Sequence, residues 1–418
     1  MRVRGTLRVP GDKSISHRAL MLSALATGES RVSGLLLSAD VRSTASVLRA
    51  LGVAIPEVTD AEFRIAGVGL RGLRAAPPLD CGNSGTTARL MSGVLAASPF
   101  ASLLVGDASL SRRPMRRVAR PLEAMGATFE FASGDGLPMT IHGGALRGVT
   151  WRGETASAQV KSAILLAGLV ADVPVEVHEI SATRDHTERM LRGRGVDVRT
   201  EGLAVTLLPT GRLDAADTDV PGDPSSAAFF AALAAMAAGG DIEITNVCTN
   251  PSRAGAFAVL ARMGATVRLE DVRDAAGEPV ATLVVSPRQL AGTVIEPGEI
   301  PSLIDELPVL ACVAARAAGE TRVTGAAELR VKESDRISAI VQNLRAVGAD
   351  AEELPDGFVV RGSDRPLKGA VTTHGDHRIA MAFGVLGALD GNAIVVDDPD
   401  CVAVSYPAFW SDLARVIR

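Results

Sequence analysis

Several short stretches gather cations and hydroxyls where the chain is about to enter an apolar run. PGDKSISHR (residues 10–18) carries Lys13, Ser14 and Arg18. GNSGTTAR (82–89) carries Gly85 and Arg89, and TASAQVKSA (155–163) carries Ser157, Ala158 and Gln159. GDASLSRRPMRR (106–117) holds four arginines, Arg113 among them. Arg184 in SATRDHTE, Arg336 in VKESDR and Arg378 in GDHRIAM continue the series. A helix N-terminus offers unpaired amide N–H groups and the positive end of a dipole, so it attracts anions. Gly85 allows backbone to approach a ligand with no side chain between them. Any one of these arginines reads equally well as a solvated surface residue. Their recurrence at helix starts argues for a polyanionic small molecule.

Two acidic sites stand apart. Asp305 lies in PSLIDELPVL, where Asp-Glu interrupts an apolar helix start. It is either a surface residue on a helix turn or a buried carboxyl with a raised pKa, suited to proton transfer. Glu333 lies between Lys332 and Arg336. That spacing fits an exposed i,i+3 salt bridge or an acid/base group inside a cationic pocket. Of 43 basic residues only four are lysines, at 13, 161, 332 and 368. Lys13 and Lys332 persist in dense polar motifs where arginine dominates elsewhere.

Several chemistries find no support. A Walker loop needs G-x4-G-K-[ST], but Gly5 and Gly11 are one residue too far apart and Asp12 takes the lysine's place. There is no strand-anchored GxGxxG, HExxH or CxxC, and the six histidines form no ligand set. His374, Asp376 and His377 are close enough to keep a metal hydrolase open as one reading. A non-catalytic anion-binding protein is another. We expect no metal and no cofactor. Cys81, Cys248, Cys312 and Cys401 show no pairing, which fits small buried hydrophobes in a reducing compartment.

The elements that must position these residues recur along the chain. Its 418 residues exceed one ordinary core, so two domains are expected. A helix end, a glycine and a strand recur at Gly52, Gly126, Gly195, Gly264 and Gly348, at intervals of 69 to 84 residues. An interleaved series of small-residue apolar helices starts near Ser14, Ser84, Ala156, Pro224, Ser302 and Asp376. The two series describe six repeats of about seventy residues, an α/β pattern of duplicated units with helices inside and sheets outside. PGDKSIS at 10 is echoed by PGDPSSA at 221, which places the crossings between lobes there. One lobe is then 1–11 plus 222–418 and the other 12–221. A net charge of −5 argues against nucleic acid. The apolar stretch Ala227–Ala238 is too short for a bilayer. MRVRGTLRVPGD has no apolar signal-peptide segment, so a cytoplasmic protein is expected.

PGDKSISHRAL, GNSGTTARL, GDASLSRRPM, SAQVKSAILLAGL, TRDHTERML, IDELPVLA, RVKESDRI and DHRIAMAF, in this order, resemble the 5-enolpyruvylshikimate-3-phosphate synthase family. The resemblance implies a two-lobed inverse α/β barrel of six βαβαββ repeats, three per lobe, with the active site in the cleft between them. It implies a cofactor-free monomer that transfers the enolpyruvyl group of phosphoenolpyruvate to the 5-hydroxyl of shikimate 3-phosphate. By motif match, Lys13, Ser14, Arg18, Ser157, Ala158, Gln159, Arg184, Asp305 and Lys332 meet shikimate 3-phosphate. Lys13, Gly85, Arg113, Gln159, Arg336 and Arg378 meet phosphoenolpyruvate. Asp305, Glu333 and Lys13 carry the catalysis. Insensitivity to glyphosate in the family can accompany Ala at the Gly85 position, so this chain is expected to be sensitive. The related family acting on UDP-N-acetylglucosamine normally has a cysteine in the loop matching GDASLSRRPM, and this loop has none. One departure is Val404, which stands where many members carry a lysine.

Overall fold

Side-chain caps set the starts of the inner helices. Asp12 Oδ1 accepts the Ile15 amide at 2.8 Å, Ser84 Oγ the Thr87 amide at 3.1 Å and Ser157 Oγ the Val160 amide at 3.4 Å. Asp223 and Asp376 do the same for Ser225 and Arg378, at 2.8 and 3.0 Å. Each cap meets a donor that the helix cannot satisfy internally. Glycine marks many helix ends: Gly52, Gly126, Gly195, Gly264 and Gly348 all have φ between +81° and +117°. An L side chain rarely adopts that conformation, so the chain turns there into the next strand.

The computed structural model describes residues 1–58, 62–275 and 277–418. The fold is mixed α/β, and the chain divides into two compact units. The second in composition but central in sequence is Gly11–Val220 with Ala275–Glu278. It contains α1 (Lys13–Leu25), α2 (Ala39–Ala50), α3 (Gly85–Ala96), α4 (Arg116–Met125), α5 (Ala158–Ala171) and α6 (His186–Arg192). The other is Met1–Pro10, Pro221–Asp274 and Pro279–Arg418. It contains α7 (Pro224–Met236), α8 (Gly255–Arg262), α9 (Ile300–Leu303), α10 (Leu307–Ala314), α11 (Arg336–Ala346), α12 (His377–Gly387) and α13 (Phe409–Val416). We call these the central and the flanking unit.

Among the described residues there are six sheets, and each contains one parallel strand pair. In the central unit Leu79–Asp80 runs parallel to Ala101–Val105, and Met139–His142 and Thr128–Phe131 extend the sheet antiparallel. Val149–Arg152, Val175–His178, Ala204–Leu207 and Val198–Glu201 repeat that order. Each unit also pairs strands that are distant in sequence. Val3–Leu7 pairs with Gly240–Cys248 in the flanking unit, and Thr218–Asp219 pairs with Thr27–Ser33 in the central one.

Two of the helices, α5 and α7, are apolar on nearly every side. From Pro224 to Ala235, α7 is wholly buried, and α5 is buried from Val160 to Val170. Small residues set the spacing. A Cβ on Gly93 of α3 would run into the backbone carbonyl of Ala163 in α5, so only glycine permits this approach. The helix expected near Ser302 is broken. Residues Ile304–Glu306 form one 3₁₀ turn between α9 and α10. The backbone leaves helical geometry at Leu303, with φ −146° and ψ 10°, and Pro308 lacks the N–H that would bond the Ile304 carbonyl. Asp305 therefore sits on a turn rather than in a helix.

A buried hydroxyl chain ties three helices together. His17 Nδ1 lies 2.6 Å from Thr44 Oγ1, Thr44 lies 2.6 Å from Thr87 Oγ1, and Thr87 Oγ1 donates to Ser84 Oγ at 2.7 Å. Burial lowers the His17 pKa from 6.5 to about 3. The folded state thus keeps His17 neutral, while the unfolded chain protonates it below pH 6.5. The unfolded state binds more protons between those values, so stability falls as pH drops through the window. The limiting slope is about 1.4 kcal/mol per pH unit for one such group. Chemical denaturation from pH 7 down to 4 should show a shallower slope in His17→Asn than in wild type. Equal slopes would mean that His17 takes up a proton in the folded state.

Candidate active site

In the central unit the sequence-derived cations and hydroxyls collect at the starts of α1, α3, α5 and α6. The Lys13 ammonium pairs closely with the buried Asp40 carboxylate. Arg18, 4 % exposed, donates through Nε to Thr187 Oγ1 at 2.7 Å, through Nη2 to Ser162 Oγ at 2.8 Å and through Nη1 to the Ser14 carbonyl at 2.9 Å. Burial lowers its pKa to about 10; Glu188 and Asp12 oppose the shift and Arg184 adds to it. Arg184 is half-buried just before α6.

The start of α3 meets the start of α5. Arg89 Nη1 donates to Gln159 Oε1 at 2.7 Å, and Gln159 Nε2 donates to Thr86 Oγ1 at 3.1 Å. Arg113 Nη2 donates to Asn83 Oδ1 at 2.8 Å and to Ser109 Oγ at 3.3 Å. A Cβ built on Gly85 would lie 3.3 Å from Arg89 Nη1 and 3.5 Å from Arg113 Nη1. The open face of Gly85 thus looks onto two guanidinium groups. Ser157 caps α5, and Ala158 is its first residue. Lys161 is a structural residue. It is buried, with Glu179 at 2.8 Å and Glu188 at 2.7 Å. Burial opposes its charge, yet the two carboxylates raise its pKa.

In the flanking unit, Asp305 is 8 % exposed and lies among cations. Its carboxylate is 3.4 Å from Arg336 Nη1, 3.6 Å from Lys332 Nζ and 4.0 Å from Arg253 Nη1. Arg336 is itself buried and meets two further carboxylates. Asp376 accepts from Nε at 2.8 Å and from Nη2 at 3.2 Å, and Glu333 Oε2 lies 2.7 Å from Nη2. Burial works against the Arg336 charge, but Asp376 and Glu333 outweigh it and raise the pKa. The i,i+3 pairing of Glu333 with Arg336 therefore forms with a buried guanidinium, while Glu333 stays part-exposed. Arg378 Nη1 donates to the Asp305 backbone carbonyl at 3.0 Å. Val404 ends the 3₁₀ segment Pro399–Val404, where a lysine would have added a cation.

A family model described as EPSP synthase (3-phosphoshikimate 1-carboxyvinyltransferase) matches residues 1–413. The chain belongs to the EPSP synthase family. A relative named 3-phosphoshikimate 1-carboxyvinyltransferase in Sulfurihydrogenibium sp. is 48% identical, aligned over 100% of this chain and 98% of its own. One of the same name in Alkalilimnicola ehrlichii is 50% identical over 97% of this chain and 92% of its own. The solved EPSP synthase from Acinetobacter baumannii superposes with a TM-score of 0.88 at 43% identity, covering 99% of this chain and 95% of that one.

In this EPSP synthase family member, several polar residues at the two clusters had no sequence signal of their own. Asp40 lies in the plain stretch LLLSAD, and Arg253 follows Asn-Pro-Ser. Arg253 is buried, donating to Asp223 Oδ1 and to Ser225 Oγ, both at 2.9 Å. Glu306, beside Asp305, is buried against Ser225, and burial raises its pKa although Arg253 and Arg378 pull the other way. Asp376, weighed earlier as a metal ligand, has both carboxylate oxygens on Arg336. Burial pushes its pKa up, but Arg336 overrides this and holds it below the usual carboxylate value.

The Asp376–Arg336 pair should support the fold of the flanking unit. Asp376→Asn keeps the cap geometry but removes a charge from a buried pair, which costs about 3 kcal/mol or more. Denaturant titration measures the loss, and a change below about 1 kcal/mol would show that Glu333 and Asp305 suffice for Arg336.

Proposed function

We propose that this chain transfers the enolpyruvyl group of phosphoenolpyruvate to the 5-hydroxyl of shikimate 3-phosphate and releases inorganic phosphate. The step belongs to the shikimate pathway of aromatic biosynthesis. Family membership supports the reaction. The observation that carries the site is Asp305, a buried carboxylate on a turn with Lys332 and Arg336 beside it.

Both substrates are anions with phosphate and carboxylate groups, and each unit supplies a cationic cluster for them. In the central unit Lys13, Ser14, Arg18, Ser157, Ala158, Gln159 and Arg184 bind shikimate 3-phosphate. Gly85, Arg113 and Gln159 meet phosphoenolpyruvate there, and Lys13 serves both. In the flanking unit Arg336 and Arg378 hold phosphoenolpyruvate, with Asp305 and Lys332 on the reacting hydroxyl. The 5-hydroxyl oxygen adds to C2 of phosphoenolpyruvate as its proton leaves to a base, for which Asp305 is the candidate. The methylene carbon C3 gains a proton from the Glu333 and Lys13 side. The resulting tetrahedral ketal then loses a C3 proton and phosphate, which restores the double bond. The inverse-barrel arrangement of three βαβαββ repeats per unit belongs to the same proposal, as do a monomeric state and a cytoplasmic location.

The test is phosphate release from phosphoenolpyruvate with and without shikimate 3-phosphate. Release that requires both, together with the enolpyruvyl ether as product, is expected. Absence of release under all conditions would sink the reading. In Asp305→Asn turnover should fall by about 10²–10⁴, the usual scale for a positioned base. Shikimate 3-phosphate binding should persist, and near-normal turnover would remove Asp305 from the mechanism.

Gly85 faces the ends of two flexible arginine side chains, so an added methyl intrudes on ligand space more than on backbone. Gly85→Ala should raise the inhibition constant for glyphosate by a larger factor than the KM for phosphoenolpyruvate. Equal proportional changes would show that Gly85 does not discriminate between the two.

A further inference from the structure

Arg18 and Arg336 are both buried guanidinium groups, but their partners differ in kind. Arg336 is held through Nε and Nη2 by the two oxygens of the Asp376 carboxylate. On Arg18 the same two nitrogens meet two hydroxyls, Thr187 Oγ1 and Ser162 Oγ. Those hydroxyls are 2.7 Å apart and bonded to each other. They come from α6 and α5, whereas Arg18 is on α1. Ser162 and Thr187 are buried, 0 and 1 % exposed. Glu188, next to Thr187 in the chain, bonds Lys161 at 2.7 Å, and Asp12 Oδ1 accepts the Ile15 amide at the α1 cap.

We propose that Ser162 and Thr187 are positioning residues that act as a neutral stand-in for a carboxylate, gripping one edge of Arg18 without cancelling its charge. A carboxylate in that place would orient the guanidinium equally well, since both present two acceptors to a planar fork. It would also supply the negative charge that an incoming anionic group of the ligand is meant to supply. A hydroxyl pair fixes the geometry and adds no negative charge of its own to those of Glu188 and Asp12 nearby. A guanidinium has five N–H donors, and three of those of Arg18 bond Thr187, Ser162 and Ser14. Two therefore remain for an anion. The lowered pKa of Arg18 agrees with a buried charge that no carboxylate bonds. The inference rests on the reading of Arg18 as a ligand of shikimate 3-phosphate.

The experiment uses the full chain with Thr187→Val, which keeps the shape and removes the hydroxyl, and Thr187→Ser, which restores a hydroxyl. Titration calorimetry gives the affinity for shikimate 3-phosphate and for unphosphorylated shikimate, and steady-state kinetics gives the KM for phosphoenolpyruvate. In Thr187→Val the Kd for shikimate 3-phosphate should rise about tenfold, the scale of one hydrogen bond to a charged group. The KM for phosphoenolpyruvate should stay near wild type, and Thr187→Ser should recover the affinity for shikimate 3-phosphate; a Kd for shikimate that rises as well puts Arg18 on the ring carboxylate, and one that stays puts it on the phosphate. A Thr187→Ser variant as weak as Thr187→Val would mean a packing role only and would overturn the proposal, as would an unchanged affinity of Thr187→Val for shikimate 3-phosphate. Should Thr187→Val fail to fold, Ser162→Ala decides by the same comparison. A wild-type protein that turns over neither substrate sinks the underlying reaction and this inference with it. An active wild type whose variants keep their phosphate affinity sinks this inference alone.

Discussion

A side-chain cap at the start of α1, α3, α5, α7 and α12 is the interaction on which the rest depends. The cap fixes where the helix begins, and the next residues then present amides and cations in a set direction. It also decides the local charge, because the cap is either an acid or a hydroxyl. At α3 and α5 the caps are Ser84 and Ser157. They satisfy an amide and add no charge where Arg89, Arg113 and Gln159 gather. At α7 and α12 the caps are Asp223 and Asp376, and each also takes a buried arginine, Arg253 and Arg336. One side chain thus starts a helix and anchors a cation.

The units also differ in how their acids are used, although Asp12 caps α1 in the central one. The flanking unit interleaves acids with arginines around the 3₁₀ turn that bears Asp305 and Glu306. Such a mixture compensates buried charge. The central unit relies more on hydroxyls and amides, and its carboxylates are largely assigned. Asp40 takes Lys13, and Glu179 and Glu188 take Lys161. The hydroxyl grip on Arg18 belongs to the same economy of negative charge. Both arrangements need helices that approach closely, which the Ala- and Gly-rich sequences allow.

Much of this was legible in the chain. Asp12, Ser84, Ser157, Asp223 and Asp376 all bond an amide two or three residues ahead, so a short motif contains both partners. The five glycines of the repeat mark their turns for the same local reason. Eight ordered motifs were enough to point to the family. The broken helix at Asp305 was half legible. The Asp-Glu pair marked an interruption, but no local signal marked the non-helical backbone at Leu303 that gives the break its form.

What the sequence could not disclose is which charge meets which. Arg18 and Thr187 are 169 residues apart, Arg336 and Asp376 are 40 apart, and Arg253 and Asp223 are 30 apart. Nothing in a local pattern separates a solvated arginine from one whose donors are all committed, because that depends on chain segments folded in from elsewhere. The sequence by itself determined where helices start and stop, and which residue types stand at their heads. Only the tertiary structure decided that Asp376 serves an arginine, that Lys161 is locked between two glutamates and that Arg18 is held by hydroxyls. Caps and turns are satisfied within a few residues, whereas the partners of a buried charge are chosen by packing.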